Sequence, residues 1–173
     1  MSKPPVTFSD AYSRASSRCA QRECCRQDIS LYLRRMGCDI QMQEEVLDKL
    51  EDEGFIDESR YARAFVHDKT HYDRWGPLKI QAALHQKGIG ADKIGNALAE
   101  LSQDLIRQNL LHLLQSKCRQ LDANADYIYI DKTTDRVTSD KSGAEIKSYR
   151  ERLIRFALSR GYDYSLICEL IAF

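Results

Sequence analysis

The sequence predicts an all-α fold: three tandem three-helix repeat modules stacked into an extended, curved array. Three observations carry this. Glycine and proline number only eight and three in 173 residues, which favours helices over strands and turns. A helix-stop signal recurs four times along the chain. Ahead of three of those stops the apolar spacing is also the same.

Each stop is a glycine with an apolar residue just after it and another four positions before it. Glycine adopts the left-handed conformation without a Cβ clash, and the residue after it folds back onto the last turn. The four copies are Leu33/Gly37/Cys38, Leu50/Gly54/Phe55, Leu84/Gly88/Ile89 and Ala157/Gly161/Tyr162. Ile29, Ile80 and Leu153 each stand eight positions before their glycine. A further helical pattern follows in each case: "QMQEEVLDKLEDEGF", "ADKIGNALAEL" and "YSLICELIAF". A unit is therefore a long helix, a glycine-stopped helix and a closing helix, and one unit alone cannot bury its apolar faces, so neighbours must stack. The units fall at 1–57 (a short tail, then module 1 from about residue 5), 58–100 and 101–173. Tetratricopeptide repeats are excluded, because their period of about 34 residues is shorter than the step from Gly37 to Gly88.

The middle helix of module 2 is punctuated at both ends. In "RWGPLKIQAALHQKGI", Pro77 takes the first helical position, where its missing N–H costs nothing, and Trp75 is placed to pack on Ile80 as a hydrophobic staple. Upstream, Asp57 is placed to cap the helix that begins at Glu58. Glu51, Asp52 and Glu53 oppose the dipole of their own helix end, which offers them to a basic partner surface. Module 3 is interrupted at about 122–146 by a flexible insertion; within it, alternating Tyr127, Ile128, Tyr129 and Ile130 form a candidate strand, with "RVTSD" as its hairpin partner.

Formal net charge is zero, so affinity for nucleic acid has to come from local clusters of Lys and Arg. Six cysteines, three of them within seven residues, make a poor disulfide framework and match no zinc spacing. They imply a reduced, cytoplasmic protein, with Cys38 and Cys168 buried in the repeat and Cys24 and Cys25 more exposed but inert. No apolar run approaches the roughly 20 residues of a membrane-spanning helix.

Catalytic patterns fail on inspection. "GADKIGNA" has the glycine spacing of a phosphate loop, yet Asn96 and Ala97 replace the Lys and Ser/Thr it requires. "GIGADKIG" fails the dinucleotide pattern because its third glycine falls late and no strand precedes it. His67 and His71 lie four apart on a helix, but Asp68 stands where a zincin has Glu and no third ligand is in sight. On a wheel of residues 58–72, Tyr61, Phe65 and Tyr72 form the apolar stripe, while Arg60, Arg63, His67 and His71 lie opposite as a basic face. No cofactor, no metal and no catalytic residue is expected.

Binding is the better-supported class. On the helix from about Ile146 to Arg160, Ile146, Leu153 and Ala157 face one way and Ser148, Arg152, Arg155 and Ser159 the other, with Lys147 and Arg150 flanking. Together with Arg60, Arg63, Arg74 and Lys79 these cations can track a phosphate backbone.

Three ordered stretches resemble one family. "LEDEGFIDESRYARAFVHDK" followed by "RWGPLKIQAALHQKGI" resembles the RecX family of bacterial recombinase regulators. "RECCRQDISLYLRRMGC" and "LIRFALSRGYDYSLI" are similar to the family's first and third modules. The resemblance implies three tandem three-helix modules and a regulator that binds RecA and its nucleoprotein filament. Such a regulator curbs filament extension and lowers RecA ATPase, strand-exchange and coprotease activities, within DNA repair, recombination and the SOS response. It implies a cytoplasmic, monomeric, non-enzymatic protein with no membrane association and some affinity for single- and double-stranded DNA. Carried over position by position, the binding surface is Arg60, Arg63, Arg74, Lys79, Lys87, Arg152, Arg155 and Arg160, with Trp75 structural. The sequence departs from the family in having Cys25 where Ser usually caps the second helix, and in the 122–146 insertion. The rival reading is a stand-alone helical DNA-binding protein that acts without RecA.

Overall fold

A computed structural model describes residues 6–121, 128–131, 136–139 and 144–172. Its elements run α1 (Phe8–Gln21), α2 (Arg26–Met36), α3 (Ile40–Asp52), α4 (Glu58–His71), α5 (Pro77–Gln86), α6 (Ala91–Ala99), α7 (Gln103–Leu121), β1 (Ile128–Asp131), β2 (Arg136–Ser139), α8 (Ala144–Ser159) and α9 (Tyr164–Leu170). The fold is a helical repeat, as the spacing of apolar residues requires. None of the described helices is long and apolar enough to cross a membrane.

All four helix stops form as written. Gly37, Gly54, Gly88 and Gly161 take φ of +94°, +73°, +78° and +85°. The amides of Cys38, Phe55, Ile89 and Tyr162 reach back to the carbonyls of Leu33, Leu50, Leu84 and Ala157, at 3.2, 2.8, 3.2 and 3.3 Å. The backbone thus closes each helix through the residue pair that the sequence singles out.

The chain divides into two compact units, Met1–Phe65 with Ala83–Ala97, and Val66–Ala82 with Leu98–Phe173. Helices α4 and α5 give residues to both.

In the first unit Ala11, Ile29, Leu33, Val46, Leu47 and Leu50 bury the inner faces of α1, α2 and α3. Each fully buried Leu or Ile contributes about 1.5–3 kcal/mol by leaving water. Thr7 caps α1 and Asp39 caps α3 through their side-chain oxygens, whereas Cys25, at the same position on α2, makes no capping bond. Cys24 and Cys25 are buried, not exposed as expected from the sequence: both lie in the short turn from α1 into α2, and Cys24 packs into the core shared with α3. Glu51 and Glu53 are also less available than expected. Arg26 gathers Asp48 at 2.9 Å, Glu51 at 2.7 Å and Glu44, while Glu53 meets Lys49 at 3.8 Å and the Tyr12 hydroxyl.

In the second unit Leu110, Leu114, Leu153, Ala157, Ile167 and Leu170 form the core of α7, α8 and α9. Asn109, buried on α7, donates to the Thr70 carbonyl at 3.0 Å, and Tyr149 donates to Cys118 O at 2.9 Å. Cys168 is half-buried and Cys38 buried; all six cysteines are free thiols. The anticipated hairpin is present: β1 and β2 pair antiparallel, with Ile130 opposite Val137 and Asp131 opposite Arg136. Val137 sits in the core, and its carbonyl accepts from Ala172 N–H at 2.9 Å, which anchors a two-stranded element that is marginal in isolation. Tyr127, the first residue of the expected strand, and the insertion's remaining stretches 122–127, 132–135 and 140–143 lie outside the described residues.

Candidate interaction surface

A non-glycine residue in the left-handed region lies just past the end of α4. Arg74 has φ +50°, a left-handed conformation that costs a non-glycine residue about 1–2 kcal/mol. The turn lets Trp75 N–H donate to Lys69 O at 2.8 Å and directs Gly76 and Pro77 into α5. Strain of this kind persists where neighbours over-determine it. Here the buried Tyr162 donates its hydroxyl to the Arg74 carbonyl at 3.0 Å.

That tyrosine follows the glycine that ends α8, so two helix ends meet. Gly76 N–H donates to Arg160 O at 2.8 Å, and Leu78 N–H donates to Gly161 O at 3.1 Å. The otherwise orphaned amides at the start of α5 are thereby satisfied by carbonyls at the end of α8, and the partial charges of the two termini are complementary. Both glycines are required. A Cβ on Gly76 would stand 2.2 Å from the Gly161 oxygen, and one on Gly161 would stand 2.3 Å from the Lys79 Cβ.

This joint brings together three of the eight cations singled out in the sequence: Arg74, Lys79 and Arg160. The Lys79 ammonium lies 4.4 Å from the Trp75 ring centroid, and that of Lys69 lies 4.9 Å from it. Contacts of this type are worth about 0.5–1 kcal/mol where exposed. Arg160 sends Nη2 to the Asp73 carbonyl at 3.3 Å, and its Nε is buried without a partner among the described residues. Arg152 and Arg155 are exposed on the outer face of α8, opposite buried Leu153 and Ala157. Among the described residues, the Lys and Arg ion pairs of this unit are Lys69 with Asp73 at 2.6 Å and Arg107 with Glu169 at 2.6 Å, and His67 meets Asp68 at 3.2 Å. Arg74, Lys79, Arg152 and Arg155 take no carboxylate among the described residues.

The other three candidates lie in the first unit and differ in kind. Arg60 is committed to its own fold: Nε meets Glu23 at 2.7 Å, and Nη2 donates to the carbonyls of Gly54 and Phe55 at 3.1 and 3.3 Å. Lys87 pairs with Asp28 at 2.8 Å. Arg63 is exposed on α4. Asp57 caps α4 through bonds from the amides of Ser59 and Arg60 at 2.8 and 3.0 Å, and the Arg60 amide holds its carboxyl below the usual aspartate range.

His67 and His71 are exposed and stacked, with ring centroids 4.2 Å apart, and the described residues contain no group of three or more ligands that could hold an ion. Tyr72 departs from the wheel. It is 75% exposed and not in the stripe with buried Tyr61; it follows the last residue of the helix, and its ring stands edge-on to His67 with centroids 6.2 Å apart. Sequence reasoning missed the partnership of Tyr162 and Gly161 with residues 74–79. Glycines at 76 and 161 were visible as helix punctuation, but nothing local pairs them.

Comparisons with known proteins agree with this architecture. Residues 57–98 match the family model described as RecX, second three-helix domain. The chain is 28% identical over 135 residues to the regulatory protein RecX of Clostridium botulinum (strain Alaska E43 / Type E3), covering 78% of this chain and 54% of that protein. It is 25% identical over 162 residues to that of Geobacillus thermodenitrificans, covering 94% and 53%. With that of Pseudomonas fluorescens (strain Pf-5) it shares 36% identity over 85 residues, covering 49% and 54%. The chain thus spans about half the length of the curated relatives it matches. Among solved structures, RecX from Lactobacillus salivarius superposes with a TM-score of 0.70 at 18% identity, over 94% of this chain and 93% of that one. A second regulatory protein RecX gives 0.74 at 21% identity, over 94% and 72%.

Proposed function

We propose that this chain, a member of the RecX family, is a non-enzymatic regulator that binds RecA and its nucleoprotein filament. It inhibits filament extension and, with it, RecA ATPase, strand-exchange and coprotease activities. The observation that carries the proposal is the set of cations in the second unit that take no carboxylate among the described residues: Arg74 and Lys79 at the glycine joint, with Arg152 and Arg155 on α8. Guanidinium and ammonium groups of this kind make charge-assisted contacts with phosphates and with carboxylates, both of which a protein–DNA filament offers. Relatives named regulatory protein RecX support the regulatory role, and the second-domain match at 57–98 supports counting three modules, with the middle one at 58–100. In the first unit Arg63 is a further contact candidate, while Arg60 and Lys87 hold that unit's own fold; in the second, Arg160 holds the joint.

Inhibition follows from differential affinity. A protein that binds one filament state more tightly than the next holds the filament in that state and slows extension and nucleotide turnover. The protein acts as a reduced, cytoplasmic monomer with weaker affinity for bare single- and double-stranded DNA.

A RecA ATPase assay on single-stranded DNA, with the protein substoichiometric to RecA, tests the proposal. The wild type inhibits, and a variant with Arg152→Ala and Arg155→Ala inhibits less. Absence of inhibition by the wild type ends the proposal. Tight, steeply salt-dependent binding to bare DNA with RecA activity untouched would establish the stand-alone DNA-binding reading instead.

A further inference from the structure

Exposed apolar side chains are not scattered over the second unit. Among the described residues its large exposed hydrophobics are Tyr72 at 75%, Leu78 at 52%, Leu158 at 44% and Tyr164 at 57%. All four lie within four residues of Gly76 or Gly161, the two glycines whose backbones touch. Beside Leu78 a recess of about 390 Å³ opens, with Ile106 and Leu166 in its wall.

The acidic groups on that wall are already committed. Asp163 caps α9, accepting from Ser165 N–H at 2.8 Å, and Glu169 pairs with Arg107 at 2.6 Å. Arg74 and Lys79, cations at the joint, take no carboxylate among the described residues. Exposed apolar side chains around the joint, with a recess of mixed apolar and polar lining beside Leu78, have the anatomy of a protein interface, and Tyr and Arg are residue types enriched there.

We propose that the glycine joint is a protein-docking surface, and that its occupant is a segment apolar along one side with carboxylates on its flank. An apolar side chain of that segment enters the recess beside Leu78, and its carboxylates meet Arg74 and Lys79. The aliphatic character of Leu78 and Leu158 favours protein over nucleic acid, because an aliphatic side chain offers a base no stacking face and a phosphate no hydrogen bond. The inference rests on the filament-regulator reading and divides its labour: this joint addresses the recombinase protein, and the Arg152/Arg155 face of α8 addresses phosphates.

The test compares wild type with the double variant Leu78→Ser/Tyr164→Ser on three probes: RecA alone, RecA filaments on single-stranded DNA, and bare single-stranded DNA. Ile40→Ser, on a residue 79% exposed in the first unit, is the control. Circular dichroism and urea midpoints verify that the variants fold; the substituted side chains are exposed. The expected result is a loss of about tenfold or more on RecA and on filaments, as for interface anchors, with bare-DNA affinity within about twofold of wild type and the control unchanged. Equal loss on bare DNA would make the joint a nucleic-acid face, and unchanged filament affinity would make the patch inert; either overturns the proposal while leaving the regulator reading standing. If the wild type binds neither RecA nor filaments, both fall.

Discussion

Lys87 and Asp28 form an ion pair of 2.8 Å in which each side chain is little more than a quarter exposed. Asp28 stands in the first turn of α2, the helix whose N-cap, Cys25, contributes no capping bond. Burial pushes the Asp28 carboxyl up, but the Lys87 ammonium and the Cys25 region outweigh that and hold it below the usual aspartate range. Lys87 therefore serves the first unit's stability. Lys87→Ala should destabilise by about 1–3 kcal/mol, the cost of leaving a partly buried group unpaired. Because the folded carboxyl is depressed, the pair's contribution is complete above the ordinary aspartate value of about 3.9 and is lost as pH falls through the lower folded value. Urea titrations of wild type and variant at neutral pH and in acid should show the difference shrinking in acid.

The joint makes a sharp steric prediction. Gly76→Ala places a Cβ 2.2 Å from a backbone oxygen, which no rotamer change relieves, so a loss of about 1–3 kcal/mol or more is expected from overpacking alone. Gly95→Ala is the contrast. This glycine lies within α6 with nothing inside 4 Å of the new methyl, and the change should stabilise by roughly 0.5–1 kcal/mol. Denaturant midpoints of the two variants should move in opposite directions.

Arg74 combines an unfavourable backbone with a charge, and the two can be separated. Arg74→Gly removes the guanidinium and relieves φ +50°, so stability should rise by about 1 kcal/mol while filament affinity falls. Arg74→Ala removes the same charge and keeps the strain. Matching affinity losses in the two variants, with higher stability only in the glycine variant, would assign the binding effect to the side chain; a loss confined to the glycine variant would assign it to the turn.

Asp57 offers a test of capping. Asp57→Ala should cost about 1 kcal/mol at neutral pH, since two amides of the first turn of α4 lose their acceptor. Its carboxyl too is depressed in the folded state, so wild type and variant should converge in stability as pH drops below about 3.9.

Local signals were the legible ones. The four glycine stops, Pro77 at the start of α5, the Asp57 cap and the pairing of β1 with β2 each depend on a few neighbouring residues, and each is found. Burial of Ile146, Leu153 and Ala157 with Arg152 and Arg155 outside likewise follows from helical period alone. Features that depend on distant partners were not legible. Gly76 and Gly161 are 85 positions apart, so their contact has no local trace. Arg74 carries none of the glycine or asparagine character that marks a left-handed turn. Arg60 and Lys87 read as surface cations because their partners, Glu23 and Asp28, are contributed from another part of the chain. Burial of Cys24 and Cys25 was missed for the same reason, since a turn shows its solvent exposure only once its flanking helices close on it.

Trp75 is the chain's single tryptophan, and it lies at the joint with the ammonium groups of Lys79 and Lys69 at 4.4 and 4.9 Å from its ring. Intrinsic tryptophan emission therefore originates from one known location, and the molecule carries its own optical probe without a label. An occupant whose carboxylate draws Lys79 from the indole changes the field across that ring, so docking becomes visible as a change in colour and intensity of the emitted light.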